Sequence, residues 1–486
     1  MRLVTHCRVN LYTELYGPGV SLTMSPSRAP SVFGRARLSR LLIVGAVVFA
    51  VALASYLLYA LTHPTDYTLY PVDLRVYRDG GLIVRQVAPT YQPGLKSPLY
   101  DWPSGSSTAL KFTYTPWAAI VFAAVSFIPW AVLPTLSVAA NIAALVAICW
   151  FTTGGLGYSG QARLGAALLG AGAVLWTEPV VRTLFLGQIN LVLAALILTD
   201  LLQVPGKRYT GVATGLAAGI KLVPLIFIPY LILTRRFRAA MVATAAFAVT
   251  IAVGFVVLPA DSGTWWLGGL FLDDRRTGFP GWGGNQSLRG LIIRLAGSVQ
   301  GGLVPWLLAA AVTAVAGLVA AALLHRSGHT VAGLLTAALT GLLISPVSWD
   351  HHWIWLAPGL VMTGHYAVVA WRESRRTTAV LWGMGSVVMA GIFWSWPVGP
   401  MGSGWFNYGL IWAAPESRVS YFAAHGDRGW FSEYHWFGWE RLAGNAYVLT
   451  GLALLAVAVY AAGSCQGWGF LVSHCQKPRW RGPAMK

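Results

Sequence analysis

The chain of 486 residues is 56% hydrophobic and only 10% charged, and its mean hydropathy is +0.60. A soluble domain carries about 25% charged residues, so the composition excludes an ordinary water-soluble fold and predicts an integral membrane protein built from helices. The net charge of +18 would suit a nucleic-acid partner. The basic residues, however, lie in short clusters between apolar runs, as the positive-inside rule requires, and we therefore expect no nucleic-acid binding.

Three sections of the chain differ in composition. Residues 1–40 are polar and basic, and we expect them to be a disordered segment in the cytoplasm. Residues 41–463 carry the long apolar runs and form the predicted membrane domain, and residues 464–486 form a basic cytoplasmic tail. Arginines at positions 35, 37 and 40, just before the first apolar run, place the N-terminus inside.

The first apolar run covers residues 41–61 and is long enough to span a bilayer. The segment 62–115 that follows it is therefore predicted to be the first outer loop. Within this loop, residues 69–87 are predicted to include a short amphipathic helix that lies on the membrane.

The later apolar runs alternate between basic flanks and acidic loops, and the map drawn from lysine and arginine places 12 of the 16 acidic residues outside. This pattern predicts an all-α integral membrane protein, a multi-spanning helical bundle with about 10–12 transmembrane segments, structured outer loops and both termini in the cytoplasm. We predict apolar helical segments, some of them too short to span, at residues 116–133, 136–151, 164–176, 188–202, 211–234, 239–259, 303–324, 331–344, 354–371, 379–396 and 446–462.

The sequence lacks the motifs of the common cofactor and metal sites. It has no P-loop, no dinucleotide fingerprint and no HExxH motif. The four cysteines at positions 7, 149, 465 and 475 lack metal-ligand spacing and suggest no disulfide framework. We therefore expect no cofactor and no metal.

Asp73 is the main catalytic candidate. A carboxylate that is partly removed from water at the membrane surface can act as general base toward a sugar hydroxyl. One carboxylate suffices when the leaving group is a phosphate, because a phosphate departs as a stable anion. The structural alternative is a solvated loop carboxylate or a helix N-cap, and Asp66 is the nearest rival.

Lys221 interrupts the apolar run 211–234 together with Pro224, which predicts two half-helices around a buried lysine. Placing a lysine at membrane depth costs about 2.5–3.5 kcal/mol on insertion scales. About a dozen residues separate it from either flank, which is far for its side chain to reach the inner interface. An anionic lipid phosphate is the partner that we expect.

Two further polar groups lie at predicted outer helix ends. Asp350, His351 and His352 are adjacent, and one of the histidines is expected to bind a phosphate or orient the acceptor; as single residues, capping of the helix end is the simpler interpretation. Arg289 is a second candidate for binding phosphate or hydroxyl groups, with a structural ion pair as the alternative.

Six motifs occur in one order: DLRVY at 73–77, FTYTP at 112–116, GQIN at 187–190, GLAAGIKLVP at 215–224, NQSLRG at 285–290 and SPVSWDHH at 345–352. Together they make the chain resemble glycosyltransferase family 87, the polyprenol-phosphate-mannose-dependent α-1,2-mannosyltransferases of actinobacterial envelopes. The resemblance runs from about residue 41 to residue 454.

This resemblance implies a GT-C membrane fold, inversion at the anomeric carbon and an aspartate base in the first outer loop, which falls on Asp73. The implied substrates are a polyprenyl-phosphate-mannose donor and a mannoside 2-hydroxyl on a phosphatidylinositol mannoside or lipomannan, acting at the outer face of the plasma membrane. Alternatives are a polyprenyl-phosphate-dependent arabinosyl- or pentosyltransferase, or a polyprenyl-lipid transporter. The motifs add four candidate substrate-binding residues: Gln188, Asn190, Asn285 and Gln286.

Overall fold

A computed structural model of the chain describes residues 35–62, 70–87, 95–101, 110–203, 207–396, 409–414 and 432–463. The predicted disordered N-terminal segment, apart from its last six residues, and the basic tail lie outside these ranges. So do Asp66 and the cysteines at positions 7, 465 and 475.

The N-terminal half of the described chain is helical. Helices form where apolar runs meet residues that favour helix starts, such as Thr115, whose hydroxyl accepts a hydrogen bond from Ala118 N at 3.1 Å. The helices are α1 Arg35–Thr62, α2 Val72–Val84, α3 Pro98–Asp101, α4 Pro116–Val125, α5 Leu133–Gly155, α6 Gly160–Val174, α7 Glu178–Leu186, α8 Asn190–Leu198 with a π-helical turn Thr199–Gln203, α9 Val212–Ile220, a 3₁₀ turn Val223–Ile226 and α10 Phe227–Leu233.

The C-terminal half continues in the same way, with short helical turns in the segment between α11 and α14. Its elements are α11 Phe237–Val257, α12 Pro259–Ser262, a π-helical turn Gly263–Leu267, 3₁₀ turns Leu270–Leu272 and Asp274–Thr277, α13 Leu288–Ala296, α14 Leu303–Arg326, α15 Thr330–Ile344, a 3₁₀ helix Asp350–Trp355, α16 Leu356–Arg372, α17 Arg376–Ile392, 3₁₀ turns Leu410–Ala413 and Ser432–His435, α18 Trp439–Ala443 and α19 Ala446–Gly463.

Six helices of the described chain are long and apolar enough to cross a membrane, and the bent pair α7–α8 raises this number to seven. The chain is thus a multi-pass, all-α membrane protein, as predicted. The expected 10–12 crossings exceed this count because several predicted spans are short. Helix α15, for example, has 15 residues and reaches about 22 Å, less than the roughly 30 Å of a bilayer core.

The two breaks that position the site lie inside apolar runs. Helices α7 and α8 meet at an angle of 117° across residues 187–189. Helix α9 ends at Ile220, and Lys221 has extended backbone angles before the chain resumes as a 3₁₀ turn containing Pro224. The predicted break at Lys221 and Pro224 is confirmed. The predicted start of a helix at Gln188 is replaced by the bend.

The short helix predicted within residues 69–87 is confirmed as α2. Its buried residues include Val72, Val76 and Ile83, while Arg75 is exposed and lies over the Trp130 ring at 4.5 Å. A Cβ on Gly81 would lie 2.3 Å from the carbonyl oxygen of Phe122 in α4. Only glycine allows this approach of backbones, so α2 is held tightly against α4.

Two predicted boundaries differ in the structure. Residues 134 and 135 were left between the predicted segments 116–133 and 136–151, but Pro134 lies in the first turn of α5, where proline is well tolerated. The segment 260–301 was expected to be a loop, but it contains α13 and shorter helical turns.

Candidate active site

Asp73 lies in the first turn of α2, where the helix dipole favours a carboxylate. The helix begins after Pro71 and no side chain caps it, so Asp73 does not serve as its N-cap. Its Oδ2 accepts a hydrogen bond from Nε2 of Gln188 at 2.7 Å. Asp73 keeps partial solvent exposure, whereas Gln188 is buried.

Gln188 lies in the bend between α7 and α8 and connects three other side chains. Its Oε1 accepts hydrogen bonds from the Tyr77 hydroxyl at 2.7 Å and from Lys221 Nζ at 2.9 Å. Lys221 also donates to Asn190 Oδ1 at 2.6 Å. The bend, the break after α9 and the first turns of α2 and α8 therefore meet at Asp73.

Burial raises the pKa of the Asp73 carboxyl above its ordinary value. Although the residue is partly exposed, enough protein surrounds the carboxyl for this effect to dominate. Neighbouring positive charge and the hydrogen bond act in the opposite direction and favour the carboxylate. In decreasing order of effect these neighbours are His351, Gln188, Lys221 and Arg182.

Two tyrosines enclose the carboxylate. The hydroxyls of Tyr77 and Tyr114 are 3.1 Å apart. Burial raises the pKa of both phenols, and the charge of Asp73 raises them further. Both hydroxyls therefore stay protonated, and Tyr77 is available to donate to Gln188.

Asp350 and His351 stand at the start of the 3₁₀ helix before α16. Asp350 is buried, with Oδ2 3.2 Å from Arg182 Nε and Oδ1 2.9 Å from His351 Nδ1. Asn190 Nδ2 donates to the His351 carbonyl at 3.0 Å, which ties this segment to α8. The buried Nε2 of His351 has no hydrogen-bond partner within the described chain.

A second buried carboxyl, that of Glu178, lies close enough to Asp350 for direct interaction. It accepts hydrogen bonds from the Tyr447 hydroxyl at 3.0 Å and from Trp412 Nε1 at 3.2 Å. Arg182 is the cation beside this acidic pair. A buried charge group with this many fixed partners holds the 3₁₀ helix rigidly against α7.

Lys221, Asn190 and His352 are among the residues that line a partly open cavity. Lys221 connects this cavity to Gln188 by a hydrogen bond. The walls are apolar and include Leu193, Ile197, Leu342 and Trp355.

Asn285 and Gln286 do not line this cavity; their fully buried side chains bond backbone groups instead. Asn285 Oδ1 accepts from Ser348 N at 2.9 Å, and its Nδ2 donates to the Pro346 carbonyl at 3.1 Å. Asn285 thereby holds the segment just before Asp350. In the structure, both side chains hydrogen-bond to the backbone of the protein, whereas we had expected them to bind substrate.

Arg289 also points elsewhere. Its guanidinium lies over the Trp306 ring of α14 at 4.9 Å. The structure brings together Asp73, Gln188, Lys221, Asn190 and the 350–352 segment, whereas Arg289 packs on α14.

Comparison with known proteins identifies the family of the chain. The model of glycosyltransferase family 87 matches residues 112–346. A polyprenol-phosphate-mannose-dependent alpha-(1-2)-phosphatidylinositol mannoside mannosyltransferase of Mycobacterium tuberculosis is 30% identical over 408 residues, 81% of this chain and 85% of the relative. The chain belongs to glycosyltransferase family 87. It is a membrane mannosyltransferase.

A second relative covers nearly the same span. The polyprenol-phosphate-mannose-dependent alpha-(1-2)-phosphatidylinositol pentamannoside mannosyltransferase of Mycolicibacterium smegmatis is 32% identical over 392 residues, 80% of this family 87 chain and 89% of the relative. No solved structure matches the chain.

The sequence alone did not single out Arg182, Glu178 or Tyr77 for the site of this family 87 enzyme. Arg182 and Glu178 carried a usable signal, since charged residues in an apolar helix are costly and usually have a partner. Tyr77 ends the DLRVY motif at 73–77, which was a usable signal as well. Within the described residues no group of three or more His, Cys, Asp or Glu side chains is arranged to hold a metal ion.

Proposed function

We propose that this family 87 enzyme transfers mannose from a polyprenyl-phosphate-mannose donor to the 2-hydroxyl of a mannoside on a phosphatidylinositol mannoside or lipomannan. The names of the two relatives support the donor and the phosphatidylinositol mannoside acceptor. The transfer would take place at the outer face of the plasma membrane, with both termini in the cytoplasm.

Asp73 is the proposed general base. The acceptor hydroxyl oxygen attacks the anomeric carbon, the bond from that carbon to the phosphate oxygen breaks, and the hydroxyl proton passes to Asp73. The polyprenyl phosphate leaves with the bonding electrons as a stable anion, so no second carboxylic acid is needed. Attack opposite the leaving group inverts the anomeric configuration.

The observation that carries this proposal is that hydrogen bonds connect Asp73, through one glutamine, to Lys221, which lines the cavity. Asp73 itself is partly exposed. Lys221 and His352 line that cavity, and we assign the donor phosphate to them. The apolar walls of the cavity suit a prenyl chain. His351 lies near Asp73 and favours its carboxylate form.

Asp73→Asn tests the base, because the amide keeps the shape of the side chain and cannot accept the proton. We expect transfer from polyprenyl-phosphate-mannose in detergent to fall at least about 100-fold, in line with the contribution of general bases. Radiolabelled product from purified enzyme is the measurement, with size-exclusion chromatography to show that the variant is folded.

Asp79→Asn is the matched control, since Asp79 lies on the same helix and faces Arg75 and Arg78 rather than Gln188. It should retain activity within a few-fold. Asp66→Asn tests the rival carboxylate and should also remain active. Near wild-type transfer by Asp73→Asn would refute the base assignment.

The donor is tested in the same assay. Polyprenyl-phosphate-arabinose should give no product, and transfer to arabinose-labelled product would instead identify a pentosyltransferase. Transfer in detergent, without any membrane gradient, also distinguishes an enzyme from a lipid transporter.

A further inference from the structure

The position of Gln188 is fixed more tightly than substrate binding alone would require. It is 3% exposed, and the residue before it, Gly187, has φ of +68°, a left-handed conformation that closes α7. A Cβ on Gly187 would lie 2.7 Å from Leu74 Cβ, so the bend packs directly on the residue after Asp73. The distance between Gln188 and Asp73 is therefore fixed by backbone packing.

The orientation of the Gln188 amide is also fixed. Its oxygen accepts from two donors, Tyr77 and Lys221, and neither can donate to an amide nitrogen. A flipped amide would place its NH₂ group against the Lys221 ammonium, which cannot accept, and its oxygen against the Asp73 carboxylate, which cannot donate. The nitrogen must therefore face Asp73, where it donates to Oδ2.

We propose that Gln188 is a positioning residue that holds Asp73 by one oxygen and leaves the other to take the acceptor proton. Oδ1 of Asp73 accepts no hydrogen bond from the described residues. This inference rests on the proposed function, since it needs Asp73 to be the base. Gln188 therefore does not bind substrate through its oxygen, whose two lone pairs accept from Tyr77 and Lys221.

A pH profile separates the two roles. Titratable and charged groups facing Asp73 come from every neighbouring element: His351, Lys221, Arg182, Tyr77 and Tyr114. Because the Gln188 hydrogen bond favours the carboxylate, its loss raises the pH at which Asp73 gains a proton. The acid limb of the kcat/KM profile, in which activity falls as the solution is acidified, then moves to higher pH.

Gln188→Glu is the sharper variant. The carboxylate keeps the shape and still accepts from Tyr77 and Lys221, but it cannot donate to Asp73 and it adds like charge. We expect the acid limb to rise by about one pH unit or more, with kcat at neutral pH reduced about tenfold and KM for polyprenyl-phosphate-mannose nearly unchanged. Gln188→Ala should shift the limb in the same direction by less.

Tyr100→Phe is the control for loss of a buried hydroxyl. Tyr100 donates to the Tyr114 carbonyl at 2.9 Å, within the same aromatic cluster, but does not contact Gln188. Its acid limb should match wild type. Tyr77→Phe, which removes one donor to Gln188, should give an intermediate shift and serves as the test if the Gln188 variants fail to fold.

An unmoved acid limb with a raised KM would overturn the proposal and make Gln188 a substrate ligand. An unmoved limb with only lower protein yield would overturn it in favour of a structural role. Failure of the proposed function itself is distinguishable, because it would show as activity in Asp73→Asn.

Discussion

At the scale of single residues, Asp73 combines two demands that oppose each other. Burial raises its pKa, which makes the carboxylate a stronger base but lowers the fraction of molecules in which it is ionised. The surrounding cations and the Gln188 amide limit that rise. The resulting group is more basic than an ordinary aspartate, and proton abstraction requires its ionised form.

The pH dependence of the wild-type enzyme follows from this shift. A base works only when deprotonated, so kcat/KM falls as pH drops through the pKa of Asp73. Because burial raises that pKa, the fall should occur above the range of an exposed aspartate, whose pKa is about 3.9. Initial rates measured between about pH 4 and pH 8 in detergent check this. A plateau extending unchanged down to the ordinary range would contradict it.

The same shift has a consequence for stability. A carboxyl whose pKa is raised on folding contributes stability at low pH and loses it as pH rises through the folded-state pKa. Above its folded-state pKa, the ionised Asp73 carboxylate therefore weakens the fold. Asp73→Asn is expected to be at least as resistant to heating as wild type. A loss of activity in this variant would then not be caused by unfolding.

At the scale of elements, the polar segment around Gln286 holds the fold together beside the site. Its Nε2 donates to the carbonyls of Gly283 and Gly444, and its Oε1 accepts from Tyr447 N and Val448 N at the start of α19. The side chain thus satisfies backbone groups that α19 leaves unpaired at its first turn.

Gln286→Ala should consequently lower stability rather than substrate affinity. Leaving several buried backbone groups without partners is expected to cost about 3 kcal/mol. Thermal unfolding in detergent should show a clear decrease, while KM of the remaining folded enzyme stays near wild type. Gln300→Ala, at an exposed glutamine of the same segment, is the control. A normal melting temperature with a raised KM would restore the substrate-binding interpretation.

The elements also show what a sequence can and cannot predict here. Apolar periodicity and proline predicted α1, α11, α14 and the break at Lys221, because those depend on local composition. The partner of Gln188 is 115 positions away in the chain, and Arg182 meets Asp350 across an even longer gap. No local pattern encodes such pairs. The family motifs make Asn285 and Gln286 candidates for binding substrate, and a polar run has the same sequence pattern whether its side chains bind a ligand or the backbone.

At the scale of the whole molecule, the proposal depends on which side of the membrane holds the site. The lipid donor carries its own leaving group, so transfer at the outer face needs no nucleotide sugar there. Helix α14 offers a direct test, because its 24 residues reach about 36 Å and one helix connects the two faces. Its flanking residues, Gln300 and Ser327, lie in short turns.

Gln300→Cys and Ser327→Cys, each in a background without the four native cysteines, should react differently with a membrane-impermeant maleimide. The basic end of α14, at His325 and Arg326, is expected inside. Cysteine at position 300 should therefore be labelled in intact cells and cysteine at 327 only after permeabilisation. The reverse pattern would place α14 with its start in the cytoplasm. Asp73 would then face the inner leaflet, and the outer-face assignment would fail while the base chemistry could still hold.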